Sequence, residues 1–319
     1  MTSLSIKQKA QQYLVLTIMA LFIGLLVGAI DMIFGQGLLL IGDFRSQHWP
    51  LILFLAIAGL VIVYLYKRFG GKASKGMGLI FDVGHAREEK IPLVLVPLIM
   101  LTTWMSHLFG GSVGREGVAV QIGATLSHRF ARYFQFPDAS RIFLMTGMAA
   151  GFAGLFQTPL AATFFALEVL TVGELQLIAL YPALIASIVA SFTSHALGLE
   201  KFAVPLKETL SWTPENLIKV ALLGLAFGLA GKLFAVSLSW LKKTVAKVLP
   251  NPYIRIAVIG AGLSLVLLAL QLTKVGTYSG LGTNLIDVAF HQGSAQSYDW
   301  ILKLLFTVVT ISAGYQGGE

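Results

Sequence analysis

Apolar stretches long enough to cross a lipid bilayer recur along the sequence and restrict it to membrane folds. A helical span needs about 20 apolar residues, so the shorter stretches would be tilted or only partly spanning. With 33 Gly and 10 Pro, many segments should break into half-helices, and a bilayer tolerates irregular backbone only where it lines a cavity. The sequence predicts a polytopic, all-α membrane protein. The stretches are Tyr13–Phe34, Pro50–Tyr66, Ile91–Phe109, Gln176–Leu197, Leu217–Leu241, Tyr253–Leu272 and Trp300–Ala313.

Basic residues gather on one side of these predicted spans. The loop 36–49 carries one Arg and one Asp, whereas Lys7 and Lys9 precede the first span and a basic cluster follows the second. The positive-inside rule then places the N-terminus and the 67–90 loop in the cytoplasm of a multi-pass plasma-membrane protein. This topology accounts for the net charge of +8, so we expect no nucleic-acid partner. The basic cluster comprises Lys67, Arg68, Lys72 and Lys75.

The reactive side chains exclude several classes of function. The absence of Cys removes disulfides, thiolate catalysis and thiolate metal sites. No metal-ligand spacing occurs among the six His, since His85 is followed by Ala-Arg-Glu, and we expect neither a metal nor another cofactor. An enzyme would need a paired nucleophile and base. Ser112 has no His or Asp at a helical spacing. A base could therefore reach Ser112 only if the tertiary fold brought it there, and we expect no enzymatic activity.

An Arg-Glu pair wrapped in glycine lies between two apolar stretches, in the run Gly110-Gly111-Ser112-Val113-Gly114-Arg115-Glu116-Gly117. Ionisable groups at membrane depth are costly and persist mainly where they face a cavity or an ion path. Residues 118–124 have the pattern of a first helical turn, which puts Glu116 near a helix N-terminus that attracts negative charge. A carboxylate there can compete with an anion for the same place, which indicates ion transport.

Two glycine-rich motifs recur in the same order at nearly the same offset. Gly76-Met77-Gly78-Leu79-Ile80 is echoed by Gly280-Leu281-Gly282-Thr283-Asn284-Leu285-Ile286, and Glu116 is echoed by Glu319 (280 − 76 = 204; 319 − 116 = 203). Such repeats are typical of transporters that bind substrate between two halves; the alternative is chance similarity of glycine-rich loops. We predict a first transmembrane repeat at 1–205 and an incomplete second repeat at 206–319, in a chain cut short at its C-terminus.

These motifs make the chain resemble the CLC family of anion channels and proton-coupled anion antiporters, over essentially its whole length. The resemblance implies an inverted-repeat bundle of tilted and broken transmembrane helices that assembles as a homodimer when full length. The matching segments are Gly114-Arg115-Glu116-Gly117 with Gln121, Phe156-Gln157-Thr158-Pro159-Leu160-Ala161 with Glu168, Gly76-Met77-Gly78 and Gly317-Gly318-Glu319.

Within that family, the chain is most similar to the fluoride/proton antiporter branch. Most chloride-handling members carry Ser at the position of Met77 and Pro at that of Val118, and proton-coupled chloride exchangers usually place a proton-relay glutamate at that of Val169. The resemblance implies a secondary active transporter that exchanges fluoride for protons and exports fluoride across a bacterial plasma membrane. The alternatives are a chloride channel or chloride/proton exchanger of the same fold, and a non-functional fragment of such a transporter.

The resemblance also implies roles for particular residues. Glu116 would be the gating and proton-coupling group, unless it only caps its helix or pairs with Arg115. Half-helices that begin near Met77, near Glu116 and just beyond Glu319 would converge on the anion, with Arg115 contacting backbone carbonyls or shaping the field. The anion-binding residues would be Gly76, Met77, Gly78, Gly114, Arg115, Gly117 and Val118. The candidate anion path would add Phe81 (otherwise a plain lipid- or core-facing side chain), Gly317, Gly318 and Glu319.

One predicted helix is expected to face a partner subunit. Leu177–Leu197 carries the small residues Ala183, Ala186, Ser187 and Ala190, which suit close helix packing. The partners expected from sequence are therefore fluoride or chloride, protons, the lipid bilayer and a second copy of the chain.

Overall fold

The computed structural model describes residues 6–171, 173–201, 203, 211–272 and 278–318. Within these ranges the regular structure is helical apart from one backbone bridge, so the predicted all-α class is confirmed. The α-helices are α1 (Ile6–Gln47), α2 (Leu55–Leu65), α3 (Met77–Gly84), α4 (Leu95–Leu108), α5 (Glu116–Ala131), α6 (Ala139–Phe156), α7 (Pro159–Glu168), α8 (Leu180–Ala196), α9 (Pro214–Val248), α10 (Pro252–Leu272), α11 (Thr283–Asp287) and α12 (Asp299–Ala313). Short 3-10 or π-helical turns lie at Trp49–Phe54, Tyr66–Gly70, Gly71–Lys75, Leu177–Ala179 and Val288–Gln292.

Six helical segments in the described ranges are long and apolar enough to cross a membrane. The longest helix, α1, has 42 residues and is about 63 Å long at 1.5 Å per residue. Because the hydrocarbon core is about 30 Å thick, α1 must be tilted or extend well beyond it. The six segments are Lys7–Gln47, Trp49–Gly84, Ala139–Phe156, Leu177–Ala196, Pro214–Val248 and Pro252–Leu272.

The predicted half-helices occur where glycines interrupt the apolar stretches. α3 has 8 residues, α4 has 14 and α5 has 16, each too short to span the core as a straight helix. Gly76, at φ +54°, precedes α3, and Gly110, at φ +87°, follows α4. Both values lie in the region that glycine adopts without strain, which lets the chain turn at membrane depth.

The centre of the first half is a close crossing of α5 over α6. A Cβ on Gly123 would lie 2.0 Å from the carbonyl oxygen of Gly147, and one on Gly147 would lie 2.2 Å from the carbonyl oxygen of Gly123. The two backbones therefore touch directly, as small residues permit between membrane helices. Buried apolar side chains around this crossing, such as Val120, Ile122 and Leu144, fix α5 in place.

The small residues of α8 pack inside the subunit, so they are not the face through which the helix Leu177–Leu197 could meet a partner; that this helix faces a partner stays a prediction. A Cβ on Gly24 of α1 would lie 2.8 Å from the carbonyl oxygen of Ala186, and one on Gly28 would lie 2.6 Å from that of Ala190. Ala183, Ala186, Ser187 and Ala190 are all fully buried. Small residues indicate that another helix comes close, but the pattern does not say which helix. Here it is α1 at Ala186 and Ala190 and α7 at Ser187.

The helices of the second half follow the order and spacing of the first. α1 to α4 are a long helix, a second apolar helix, a short helix and a helix of 14 residues; α9 to α12 repeat this series, ending in 15 residues. α4 and α12 begin 204 residues apart (299 − 95 = 204). Gly76 and Gly280, at the same offset, have φ +54° and +68°, and Gly110 and Gly314 have φ +87° and +115°.

Candidate functional site

The glycine-rich loops of the two halves meet at the N-terminus of α5. The N–H of Gly114 donates to the carbonyl of Gly318 at 3.2 Å, and the N–H of Gly318 donates to the carbonyl of Gly114 at 2.8 Å. A Cβ on Gly318 would lie 2.7 Å from the backbone nitrogen of Gly117, so the second loop can pass this close only as glycine. Gly317 is similarly confined, since its Cβ would lie 2.4 Å from the Cβ of Val113.

Glu116 folds its carboxylate back over the start of its own helix. The Oε2 atom accepts a hydrogen bond from the backbone N–H of Arg115 at 2.9 Å. The first helical hydrogen bond of α5 runs from Ala119 N to Arg115 O at 3.2 Å, so the N–H groups of residues 116–118 have no acceptor within the helix. The carboxylate thus occupies the positive end of α5, where an anion would also be stabilised.

Two cavities meet at Glu116. We call the larger one, which borders α3, the inner cavity; its volume is about 930 Å³. We call the smaller one, which borders α12, the outer cavity; its volume is about 330 Å³. Among the described residues, Glu116 is the one that lines both. The inner cavity is lined by Lys75, Met77, Gly78, Phe81, Glu116, Gly117, Val120, Phe152, Phe165, Val169, Phe234, Ala235, Leu238, Ser239 and Lys242; the outer cavity is lined by Val113, Gly114, Arg115, Glu116, Phe156, Leu281, Thr283, Ile286, Lys303 and Thr307.

The inner cavity brings together most of the residues predicted from the first anion loop. Met77, Gly78 and Phe81 line it with Glu116, and Gly76 forms the turn into α3. Phe81 also packs against the hydrophobic core, so its cavity-facing and core roles coexist. The walls are largely aromatic and aliphatic, which leaves an anion here dependent on backbone N–H groups and on the lysines at the mouth.

Ion pairs brace the loop before α3 at the mouth of the inner cavity. Lys75 Nζ lies 2.8 Å from Asp82 Oδ2 and 3.4 Å from Glu88 Oε1. Lys72 Nζ lies 2.5 Å from Glu88 Oε2, and this hydrogen bond lowers the pKa of the Glu88 carboxyl below its ordinary value. These ion pairs fix the chain on both sides of the turn at Gly76, through Lys75 before it and Asp82 after it.

The outer cavity contains two cations, one of which sequence reasoning missed. The Arg115 guanidinium lies 5.1 Å from the ring centroid of Phe156, which is an aromatic contact; of the two roles expected from sequence, contact with backbone carbonyls or shaping the field, the second stays a prediction. Lys303 Nζ donates to Ser112 Oγ at 2.7 Å and to the carbonyl of Gly280. The available signal for Lys303 was a single lysine inside the apolar stretch Trp300–Ala313, which marks a functional position by default.

Four of the residues singled out from sequence remain to be placed: Val118, Gln121, Glu168 and Glu319. The Val118 side chain is fully buried in the core and lines neither cavity, so only its backbone could face an anion. Gln121 is buried beside Gly76, with its Oε1 atom lacking a hydrogen-bond partner in the described part of the chain. Glu168 is the last residue of α7. Glu319 lies outside the described residues.

The chain is similar in sequence to a known protein family. The sequence profile described as voltage gated chloride channel matches residues 58–319. The chain belongs to this family. The predicted CLC resemblance and the CLC-type fold are therefore confirmed, and the chain is a multi-pass membrane protein of a family of transporters and channels.

Among solved structures, this CLC chain resembles a CLC-type fluoride/proton antiporter, with a TM-score of 0.91 and 46% sequence identity; the match covers 99% of this chain and 79% of the other. A slow cyanobacterial Cl⁻/H⁺ antiporter matches with a TM-score of 0.77 and 21% identity over 95% of this chain and 75% of the other, which supports the fold alone.

Among curated relatives, the chloride/fluoride channel protein of Pseudomonas syringae pv. tomato is 34% identical over 301 residues, covering 93% of this chain and 66% of that protein. The voltage-gated ClC-type chloride channel ClcB of Salmonella typhimurium is 30% identical over 162 residues, covering 50% of this chain and 35% of that protein. The chain thus spans about two thirds of the length of the first relative and about one third of the second.

Proposed function

We propose that this chain forms the anion pathway of a secondary active transporter that exchanges fluoride for protons and exports fluoride. The observation that carries the proposal is the position of Glu116. Its carboxylate rests on the N-terminus of α5 and, among the described residues, is the one group that borders both the inner and the outer cavity. A side chain at that position controls whether the two cavities communicate.

The proposed exchange uses the two protonation states of Glu116. When ionised, the carboxylate occupies the positive end of α5 and excludes an anion. When protonated, it loses that electrostatic attraction, leaves the helix N-terminus and allows an anion to take its place. Because the anion and the proton then depend on the same side chain, moving one past Glu116 requires moving the other.

Backbone donors are proposed to hold the anion at this point. The N-terminus of α5, which includes Gly117, supplies N–H groups without a helical acceptor, and Gly114 and Gly318 bring other backbone segments close to it. Dipoles and N–H groups hold an ion without a full positive charge beside it, which keeps binding weak enough for release. The edge of the Phe81 ring, which is electropositive, adds a weak attraction in the inner cavity.

Two observations favour fluoride over chloride as the transported anion. The first is that the solved structure with 46% identity is a CLC-type fluoride/proton antiporter; the Pseudomonas syringae relative, named for both chloride and fluoride, agrees with either anion. The second is the side chain of Met77. Met77 lines the inner cavity and offers a weakly accepting thioether but no donor, so a hydroxyl donor that would stabilise chloride is missing. Chloride transport is the second candidate, supported by the name of the ClcB relative.

The repeat boundaries, orientation and assembly belong to the same proposal. We infer repeats at 1–205 and 206–319, supported by the shared offset of 204 residues between α4 and α12 and between the paired glycines. Lys7, Lys9 and the basic loop around Lys72 support a cytoplasmic N-terminus in a plasma membrane. We also propose assembly as a homodimer.

A liposome flux assay on the intact protein tests the exchange. Fluoride efflux, followed with an electrode, should drive proton uptake, followed with a pH-sensitive dye, and a chloride gradient should drive little. Glu116→Gln should abolish proton movement, whereas Glu168→Gln, an exposed glutamate at the end of α7 that lines neither cavity, should leave it intact. Proton pumping by Glu116→Gln against a fluoride gradient would contradict the assignment of Glu116 as the gating residue. Proton uptake driven by a chloride gradient would favour chloride transport instead.

A further inference from the structure

A third cavity, which we call the basic cavity, lies between the end of α5 and the start of α6, away from the anion path. It has a volume of about 340 Å³ and is bordered by Lys90, Arg129 and Arg132, a size at the lower end of ligand pockets in proteins. Two acids, Glu89 and Asp138, also border it. In the described part of the chain none of these five side chains forms an ion pair, so no carboxylate contacts the three basic groups directly.

The basic cavity also receives free backbone donors from the start of α6. The first helical hydrogen bond of α6 runs from Ile142 N to Asp138 O at 2.9 Å, which leaves the N–H groups of Ser140 and Arg141 without a helical acceptor. The side chain of Asp138, the residue before the helix, does not cap them. This 18-residue helix therefore adds the positive end of its dipole to a cavity that already holds three cations.

The floor of the basic cavity is apolar and lies beside the start of a candidate membrane span. Phe134 and Phe136 line it, and their rings pack on Phe143 at centroid distances of 5.2 and 6.4 Å. α6 is a candidate membrane span that begins here. Tyr133, which is 63% exposed, stacks under the Arg132 guanidinium at 4.7 Å and has the character of an interfacial aromatic residue.

We propose that the basic cavity binds the phosphate group of an anionic phospholipid. Lys90, Arg129 and Arg132 surround the phosphate, the free N–H groups of α6 donate to it, and Phe134 and Phe136 contact the first carbons of the acyl chains. Basic pockets between membrane helices on the cytoplasmic side bind lipid headgroups of this kind. A wholly polar anion would fill only the charged half of the cavity, whereas a lipid matches both the charges and the aromatic floor.

Lipid retention by the intact protein in detergent tests this site. Bound phosphatidylglycerol and phosphatidylcholine would be counted by native mass spectrometry during titration of each lipid. The triple variant K90Q/R129Q/R132Q should bind phosphatidylglycerol at least about tenfold more weakly, because each basic residue near an anionic headgroup contributes roughly fivefold. The matched control K7Q/K243Q/K247Q removes the same charge from exposed positions outside the cavity and should bind like the unaltered protein. Equal losses in both triple variants would overturn the proposal.

A second variant gives a test in the opposite direction that does not depend on removing cations. Glu89→Gln combined with Asp138→Asn takes two negative charges from the rim, and Asn tolerates the left-handed backbone of position 138, where φ is +59°. This variant should bind phosphatidylglycerol more tightly, with no gain for phosphatidylcholine. Unchanged binding would contradict the site, and stabilisation by millimolar inorganic phosphate equal to that by phosphatidylglycerol would overturn the lipid assignment.

Discussion

At the scale of single residues, two basic side chains, Arg115 and Lys303, border the outer cavity beside Glu116. In the described part of the chain neither Arg115 nor Lys303 forms an ion pair with a carboxylate. Lys303 is instead held by Ser112 Oγ and by the carbonyls of Tyr278 and Gly280. Charges fixed in a cleft by neutral partners raise the local concentration of anions.

Lys303→Gln should therefore slow fluoride uptake from the outer side by up to about tenfold at low salt, because the amide keeps hydrogen-bonding capacity but loses the charge. The loss should shrink as salt rises, since the Debye length falls from about 30 Å at 0.01 M to about 8 Å at 0.15 M. Flux in oriented liposomes at several ionic strengths measures this. Lys303→Arg should behave like the unaltered protein, and a salt-independent loss would indicate a purely structural lysine.

Met77 is the residue on which the choice of anion depends most directly. Met77→Ser should raise chloride flux relative to fluoride flux, because it adds a hydroxyl donor to the inner cavity. A hydrogen bond to an ion contributes on the order of 1.5–3 kcal/mol, which corresponds to roughly tenfold or more in selectivity. Fluoride and chloride efflux measured side by side would test this. Met77→Leu, which adds no donor, should keep the original ratio, and an unchanged ratio in Met77→Ser would mean that Met77 only fills space.

At the scale of elements, hydropathy predicted where helices lie better than where they end. The stretch Leu217–Leu241 lies within α9, which runs from Pro214 to Val248. Its start is set by Thr213, whose side chain accepts from Asn216 N at 3.3 Å, and its end extends through a lysine-rich turn that no apolar pattern includes.

The G-R-E-G loop was predictable because charge at membrane depth is rare, whereas its pairing with Gly318 depends on long-range folding.

The crossing of α5 and α6 offers a prediction about an element pair. Gly123→Ala should lower the melting temperature in detergent, because its Cβ would lie 2.0 Å from the carbonyl oxygen of Gly147 and overpacking costs about 1–3 kcal/mol or more. Gly262→Ala is the matched control in α10, where a Cβ meets nothing within 4 Å; it should be neutral or stabilise by up to about 1 kcal/mol. Equal melting temperatures for the two variants would show that the helices separate without cost.

At the scale of the whole molecule, the proposed homodimer keeps the helix that the sequence predicted, Leu177–Leu197, but uses a different face of it. Ala186 and Ala190 of α8 are covered by α1, but Ile188 and Phe192 of the same helix are 48% and 72% exposed. α7 joins α8 through a hydrogen bond of 2.9 Å between Thr163 and Ser187, and it exposes Leu160 by 63%. The two helices thus present one continuous apolar face, which we propose as the surface between subunits.

Cysteine crosslinking in membranes distinguishes this face from the one predicted by sequence, and the absence of native Cys removes background reaction. Cys at Phe192 or Leu160 should crosslink between subunits, because both side chains project from the exposed face of α7 and α8. Cys at Ile185, which packs against the core of the same subunit, should not. Phe227 on α9 is equally exposed, at 67%, and serves as a lipid-facing control. Efficient crosslinking at Phe227 together with none at Phe192 would place the interface on α9 and contradict the proposed dimer.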